Sequence, residues 1–421
     1  MHRKPLRRPG LRLISRAWIA ATLWALLFTF GCGGGARVSD AGGALDAGVD
    51  APRDATGEAS QDAAPEDAGT SLDAAIDAAI DADASLDAGA PPAPALLALN
   101  LRCLDQTDTP YANVAERMRA IAELALRENV AAMLLEEVCD DGTTSALELL
   151  TSELSTRSGQ AWSADESFAH IGWEGTPREA RESIAVLSRT TRGSVRSVEF
   201  RAQGGLRRVG LLATLGPPFE GLRVMTVHFD FRDADVRIGQ ARESAVAALA
   251  SYGAAGALIG GDLNARVGSP PVLALESMGF VNRGDALPAS RIDHVLLHRG
   301  AAFRAFDERL VFDSRATRVS DHPGILIRLE AQAAPTLSWT RVVAHVDPGA
   351  GRHLALRGDT SPLDWMRGWP MFPVDASSWI FATSEVAGDF EYKVLLDDAT
   401  WMTGANAAGV AGADNDVTPS F

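Results

Sequence analysis

A chain of 421 residues has room for two or three domains and for a core that needs no covalent staples. Its net charge of −16 is uneven: residues 1–32 carry six Arg/Lys and no acid, 33–95 thirteen acids against two Arg, 96–333 26 Arg against 31 acids, and 334–421 five basic residues against eleven acids. The near-balanced middle excludes the strongly basic footprint of a tight duplex binder.

Six basic residues, Arg3 to Arg16, precede an apolar run from Ala17 to Phe30. Such a run is short for a bilayer span, which takes about 20 residues, and suits the core of an export signal. It ends at Thr29-Phe30-Gly31-Cys32. This resembles a bacterial lipoprotein signal, which implies cleavage before Cys32 and lipidation of its thiol. Residues 1–32 are therefore expected to export the chain and leave it as a membrane-anchored lipoprotein of the cell envelope or surface; the alternative is a secreted protein with an incidental Cys32.

Residues 33–95 repeat Ala, Asp and Gly, contain no aromatic residue and end in Pro91-Pro92-Ala93-Pro94. They cannot bury enough apolar surface to offset ordering entropy and read as a self-repelling, disordered tether. Order is expected from Leu96. Residues 96–101 form a buried strand, 113–128 a helix with Val114, Met118, Ile121 and Ala125 on one face, and Val130–Val138 a second strand. A hairpin follows, Val209–Leu215 and Leu222–Phe229 around Gly216-Pro217-Pro218, then a helix over 235–250 and strands 257–263, 292–297 and 323–329. Strands alternating with helices and hairpins predict an α/β domain over 96–333. His170, before Gly172-Trp173, reads as part of a loop rim.

Polar residues fall at the ends of these strands. They lie in six segments: Leu99-Asn100-Leu101-Arg102, Leu135-Glu136-Glu137-Val138, Val227-His228-Phe229-Asp230, Gly261-Asp262-Leu263-Asn264, Arg291-Ile292-Asp293-His294 and Ser320-Asp321-His322. Acids and imidazoles at strand ends suit phosphoester hydrolysis, which needs charge neutralisation, a base to orient water and a donor opposite. In this order and spacing, together with Val186-Leu187-Ser188-Arg189, Arg237 and Gln240, they resemble the endonuclease/exonuclease/phosphatase superfamily over residues 96 to about 330. The resemblance implies a four-layer α/β/β/α sandwich and a Mg²⁺ or Mn²⁺ cofactor. Asn100, Glu137 and Asp321 would lie on the metal side. Asp262 would activate water, steadied by Asn264. His322, oriented by Asp293, would bind the phosphoryl oxygen, and His228 would protonate the leaving group. Arg189 and Arg237 would contact phosphate or make structural ion pairs. Glu136 stands where the family commonly has Gln, and Arg102 where some nucleases have a second acid. A disulfide between Cys103 and Cys139 is expected to brace the rim, with free buried thiols as the alternative.

The expected activity is phosphodiester hydrolysis, with nucleic acid as one candidate substrate. Alternatives are a phosphomonoesterase, a sphingomyelinase-like lipid hydrolase, or a glycan-binding surface protein with a vestigial catalytic domain. No protein partner is implied. Residues 334–421 alternate short strands with Gly, Pro and Asp turns and predict a small all-β sandwich. Pro362-Leu363-Asp364-Trp365, Phe390-Glu391-Tyr392-Lys393 and Trp401-Met402-Thr403-Gly404-Ala405-Asn406 resemble the starch-binding family of carbohydrate-binding modules. That resemblance implies an α-glucan ligand stacked on Trp365 and Trp401 and bonded by Lys393 and Asn406. Trp369 and Trp379 are expected in the core.

Overall fold

The computed structural model describes residues 92–421 apart from 191, 251, 253, 254 and 283–286. The export signal, Cys32 and nearly all of the expected tether lie outside the described residues. The first sheet takes β1 (Ala95–Asn100), β2 (Val130–Asp140), β3 (Ser163–Gly172), β4 (Ala180–Ser188), β11 (Phe303–Val311) and β12 (Gly324–Ala331), in the order β11-β12-β1-β2-β4-β3. The second takes β5 (Arg192–Glu199), β6 (Val209–Leu215), β7 (Arg223–His228), β8 (Ala257–Asp262), β9 (Phe280–Asn282) and β10 (Asp293–His298), in the order β5-β6-β7-β8-β10-β9.

Period-two side-chain alternation explains why the sheets stack. In β1 and β2, Leu96, Ala98, Ala132 and Leu134 face the other sheet, where they meet Val224, Leu258 and Val295. Leu97, Leu99, Met133 and Leu135 face outward, onto helices α1 (Val114–Arg127) and α2 (Ala146–Ser158). Asn113 caps α1 by accepting from the Glu116 amide, and Ser145 caps α2 by accepting from Glu148. Behind the second sheet lie α3 (Ala234–Ala250) and α4 (Pro270–Glu276), against Met225, Val227 and Ile259. The result is the expected α/β/β/α sandwich. Strands β3, β5 and β11 carry mixed polar sequences because they lie at or near sheet edges. His170, expected in a loop, is a correction: it lies in β3 and is half-buried.

The C-terminal strands form two more sheets: β13 (Thr340–His345), β16 (Phe372–Pro373), β17 (Ser378–Thr383) and β21 (Asp414–Val417) in one; β14 (Leu354–Gly358), β15 (Trp369–Pro370), β18 (Phe390–Leu396), β19 (Thr400–Trp401) and β20 (Ala407–Gly409) in the other. Their core is continuous with α3: Trp369, Phe372, Trp379 and Phe381 belong to the same buried cluster as Ala241, Ala245 and Leu249. On that junction the Arg242 guanidinium stacks 4.7 Å from the Trp369 ring centre and donates to the Arg367 and Gly368 carbonyls. Arg299 pairs with Glu385 at 2.8 Å.

Candidate active site

Strand register brings the polar strand ends together. Parallel β7 and β8 place His228 beside Asp262, and antiparallel β8 and β10 place Asp262 beside Asp293. Asn100 ends β1 next to Glu136 on β2. At that point β2 carries a bulge between Leu135 and Val138, with Glu137 at φ +48°. A bulge re-aims the extra side chain, and here it separates two neighbouring acids. Glu136 turns inward, fully buried, and accepts from the Thr226 hydroxyl at 2.6 Å. Glu137 turns to Asn100, whose Nδ2 donates to Glu137 Oε1 at 3.0 Å and to Asp262 Oδ2 at 3.3 Å. Gly261, at φ +131°, makes room for this: a Cβ there would lie 2.6 Å from Glu136 Oε1 and 2.2 Å from the Val227 carbonyl.

Asp262 is nearly sealed from solvent and receives the Asn264 amide at 2.8 Å; the Asn264 side chain itself donates to the Phe229 carbonyl at 3.0 Å. Burial, then the charge of Asp293, raises Asp262 to about 7. His322 bonds both Asp293 oxygens through Nδ1, at 2.9 and 3.1 Å. Burial pulls this imidazole down, but the Asp293 bond and the charges of Asp293 and Asp262 outweigh it and raise it to about 10. Asp262, Asp293 and His322 offer ligand atoms within 4.8 Å of one another.

His228 Nε2 lies 3.5 Å from Asp262 Oδ2, and Arg208 reaches its Nδ1 at 2.9 Å. A guanidinium has no acceptor, so it must donate to Nδ1, which leaves the His228 proton on Nε2. Burial, then the Arg208 charge, holds His228 well below its usual range. Arg208 also meets Glu182 at 3.2 Å, and His170 lies 3.4 Å from the other Glu182 oxygen. Burial, then the Glu137 charge, lifts Glu182 to about 7; burial, then Arg208, lowers His170 to about 4. Sequence reasoning missed Glu182, Arg208 and Thr226. Their one signal is a polar residue on or just before an apolar strand, which does not reveal its partner.

Asp321 stands apart: its Oδ2 lies 3.5 Å from Arg102, and neither Glu137 nor Asp321 joins a three-ligand group among the described residues. Arg189 donates to Asn129, before β2, at the opposite end of that strand from Glu137, so it does not reach this site. Arg237 donates to the Asp230 carbonyl. His294 is buried on Ala265 and Asn282, and Asp230 bonds the amides of Arg232 and Asp233. Cys103 and Cys139 are joined in a disulfide, Cα atoms 4.7 Å apart, beside the Arg102 loop.

In the C-terminal sandwich Trp365 and Trp401 lie side by side, ring centres 6.1 Å apart and tilted by 39°. Arg357, bound to Asp398, covers Trp401 from 5.2 Å and donates to the Trp365 carbonyl. Lys393 is largely buried and donates to the Met402 and Gly404 carbonyls, while Asn406 donates to Glu391. Trp369 and Trp379 are buried in the core.

The endonuclease/exonuclease/phosphatase family pattern matches residues 97–322. No curated protein matches the chain. Among solved structures it is similar to an endonuclease/exonuclease/phosphatase family protein from Leptotrichia buccalis, at 16% identity and TM-score 0.45, covering 56% of this chain and 100% of that one. A second such protein, from Beutenbergia cavernae, is 17% identical with TM-score 0.44, covering 75% of this chain and 99% of that one. Sphingomyelinase C from Streptomyces griseocarneus is 18% identical with TM-score 0.39, covering 56% and 99% respectively. With the family pattern spanning more than half of the sequence, the chain belongs to the endonuclease/exonuclease/phosphatase family, hydrolases of phosphoester bonds that include nucleases, phosphatases and sphingomyelinases.

Proposed function

We propose that the chain is a divalent-metal-dependent phosphodiesterase that hydrolyses its substrate with an activated water, and that export and lipidation of Cys32 hold it at the cell envelope. The observation that carries the catalytic reading is the convergence of Asp262, Asp293 and His322 within 4.8 Å beside Asn100, Glu137 and His228. Asp262 and Asp293, crowded together in a largely dry site with Glu137 nearby, favour a cation beside them. The donors are hard oxygens, which fit Mg²⁺ or Mn²⁺. Asn100, Glu137 and Asp321 would hold the ion, with Asp321 released from Arg102. Bound there, it would neutralise charge on the phosphate.

This chain's own groups supply the rest. Asp262, fixed by the Asn264 amide and Asn100, takes the proton from the attacking water. Asp293 holds His322 through Nδ1, which leaves Nε2–H to bond the phosphoryl oxygen as negative charge grows there. His228, neutral with its hydrogen on Nε2, can donate a hydrogen bond to the leaving oxygen as charge grows there, and that oxygen takes its proton from water.

A hydrolysis panel with Mg²⁺ tests this: plasmid DNA, RNA, bis-p-nitrophenyl phosphate, inositol phosphates and sphingomyelin. Turnover that needs the metal and vanishes in Asp262→Ala and His322→Ala is expected. Activity surviving both substitutions removes the mechanism, and the preferred substrate separates a nuclease from a phosphomonoesterase or a lipid hydrolase. A second reading, α-glucan binding at the C-terminal sandwich, is favoured by the braced Trp365–Trp401 pair. Retention on an amylose column, lost in Trp365→Ala/Trp401→Ala, supports it; wild type that passes unretarded refutes it.

A further inference from the structure

Two exposed aromatic rings stand on loops at the His228 side of the catalytic end, and neither takes part in the chemistry above. Trp173 follows β3, whose last residue Gly172 sits against Glu182: a Cβ there would lie 3.6 Å from Glu182 Oε2. Phe231 lies three residues beyond His228, in the loop whose Phe229 carbonyl holds Asn264. Trp173 is 39% exposed and Phe231 47%. Each ring has an arginine on one face: Arg178 lies 4.8 Å from the Trp173 ring centre and Arg232 4.7 Å from that of Phe231.

These rings are held rather than trailing. Trp173 adopts φ +49°, a conformation a bulky side chain avoids unless the surroundings impose it. Its carbonyl accepts from the Thr176 amide and hydroxyl, at 3.0 and 2.7 Å. Arg178 pairs with Asp105 at 2.6 Å; Asp105 lies 3.8 Å from Arg102, which reaches Asp321. The Trp173 loop is thus tied through Asp105 and Arg102 to the Asp321 side of the site. On the other loop, Asp230 accepts from the amides of Arg232 and Asp233 and fixes the Phe231 turn.

A ring backed by a guanidinium keeps its other face for a planar partner. That pairing, repeated on two loops around one phosphoester site, matches what an unpaired nucleotide chain requires, since every base has a face to stack and duplexed bases do not expose it. We propose that Trp173 with Arg178 and Phe231 with Arg232 form a rim that binds unpaired nucleotides flanking the scissile phosphate, so that the substrate is a single-stranded nucleic acid. This rests on the phosphodiesterase reading for its biological sense, but the binding surface stands on its own geometry.

The test is fluorescence anisotropy of the full chain with Mg²⁺ and a labelled, cleavage-resistant thymidine phosphorothioate oligomer, compared with an abasic oligomer of equal length. Each of Trp173→Ala and Phe231→Ala is expected to weaken thymidine-oligomer binding by about 5- to 150-fold, the range for losing one stacked base. Binding of the abasic oligomer is expected to stay unchanged, and Trp173→Phe and Phe231→Tyr to retain affinity. Equal losses on both oligomers, unchanged binding by both Ala variants, or equal wild-type affinity for the matching duplex would overturn the proposal. So would binding to phosphatidylcholine vesicles lost in the same two variants, which would give the rim to a lipid surface. Hydrolysis of bis-p-nitrophenyl phosphate separates the two readings: turnover without base-dependent binding sinks the rim alone, and base-dependent binding without phosphoester turnover sinks the phosphodiesterase alone.

Discussion

The catalytic end and the C-terminal tryptophan pair are built in opposite ways. At the catalytic end Asn100, His228, Asp262 and Asp293 are all at most 8% exposed, and each is placed by the last or first residue of a strand. At the other site Trp401 is 42% exposed on a two-residue strand, and one arginine braces it from behind. Burying charge costs stability, and exposing an indole costs little. The catalytic end therefore trades stability for chemistry, whereas the tryptophan pair makes no such trade.

The sharpest way to break that contrast is to remove the crowded charge. Asp262→Asn should lower hydrolysis by roughly 10³-fold or more, as loss of a general base does, and should leave the melting temperature unchanged or higher. The gain comes from relieving a desolvated carboxylate that faces Asp293 and lies near Glu137. Trp401→Ala should change neither hydrolysis of a small phosphodiester nor melting by more than a degree or two. Calorimetry beside kinetics reads both; a large fall in stability for Asp262→Asn would mean its bonds to Asn264 and Asn100 outweigh its desolvation.

The two regions are nevertheless one piece of packing. Ending the chain at residue 333 would strip Trp369, Phe372, Trp379 and Phe381 from α3. At about 1.5–3 kcal/mol per large apolar side chain, the loss is several kcal/mol, enough to unfold many domains. The truncated catalytic region should be insoluble or melt far below the full chain. A well-folded truncation with full activity would show that the junction contributes little. A smaller effect is expected from the rim: reducing Cys103–Cys139, separated by 36 residues, should destabilise by about 3–4 kcal/mol at most. Denaturant midpoints with and without reductant measure it, and the Arg102 loop should lose protection from hydrogen exchange first.

How much of this was legible in the sequence follows the same divide. Continuous apolar runs mark β1, β2, β7 and β8 because both faces of those strands are buried. The motif residues at their ends then fall into place once the register is known. Edge strand β3 was not legible: Ser163-Ala164-Asp165-Glu166 meets solvent, and its polarity conceals the strand that carries His170. The family resemblance points to Glu137 rather than Glu136 as the site acid, but periodicity alone does not separate the two. A one-residue bulge decides which acid faces the site, and bulges leave no mark in periodicity. Pairings between strands far apart in sequence, such as Arg208 with Glu182 and His228, depend on the closed fold alone.

The smallest expected effect lies where the two regions meet. His298 ends β10, is buried, and stacks 5.5 Å from Trp339, which leads into β13. Tyr252 lies 3.0 Å from its Nδ1, which also accepts the Gly300 amide. Burial, then the charge of Arg299, lowers this imidazole to about 4. In the unfolded chain it titrates near 6.5, so between pH 6.5 and 4 the unfolded state binds the extra proton. Stability from this group is therefore complete above pH 6.5 and is lost as pH falls towards 4, by on the order of 2–3 kcal/mol. His298→Gln keeps an acceptor for Gly300 but cannot take up a proton. Denaturant midpoints at pH 7 and pH 5 should lie closer together in that variant than in the wild type. An equal gap in both would place the acid sensitivity elsewhere, with buried His294 and half-buried His170, each also lowered to about 4, as the next to substitute.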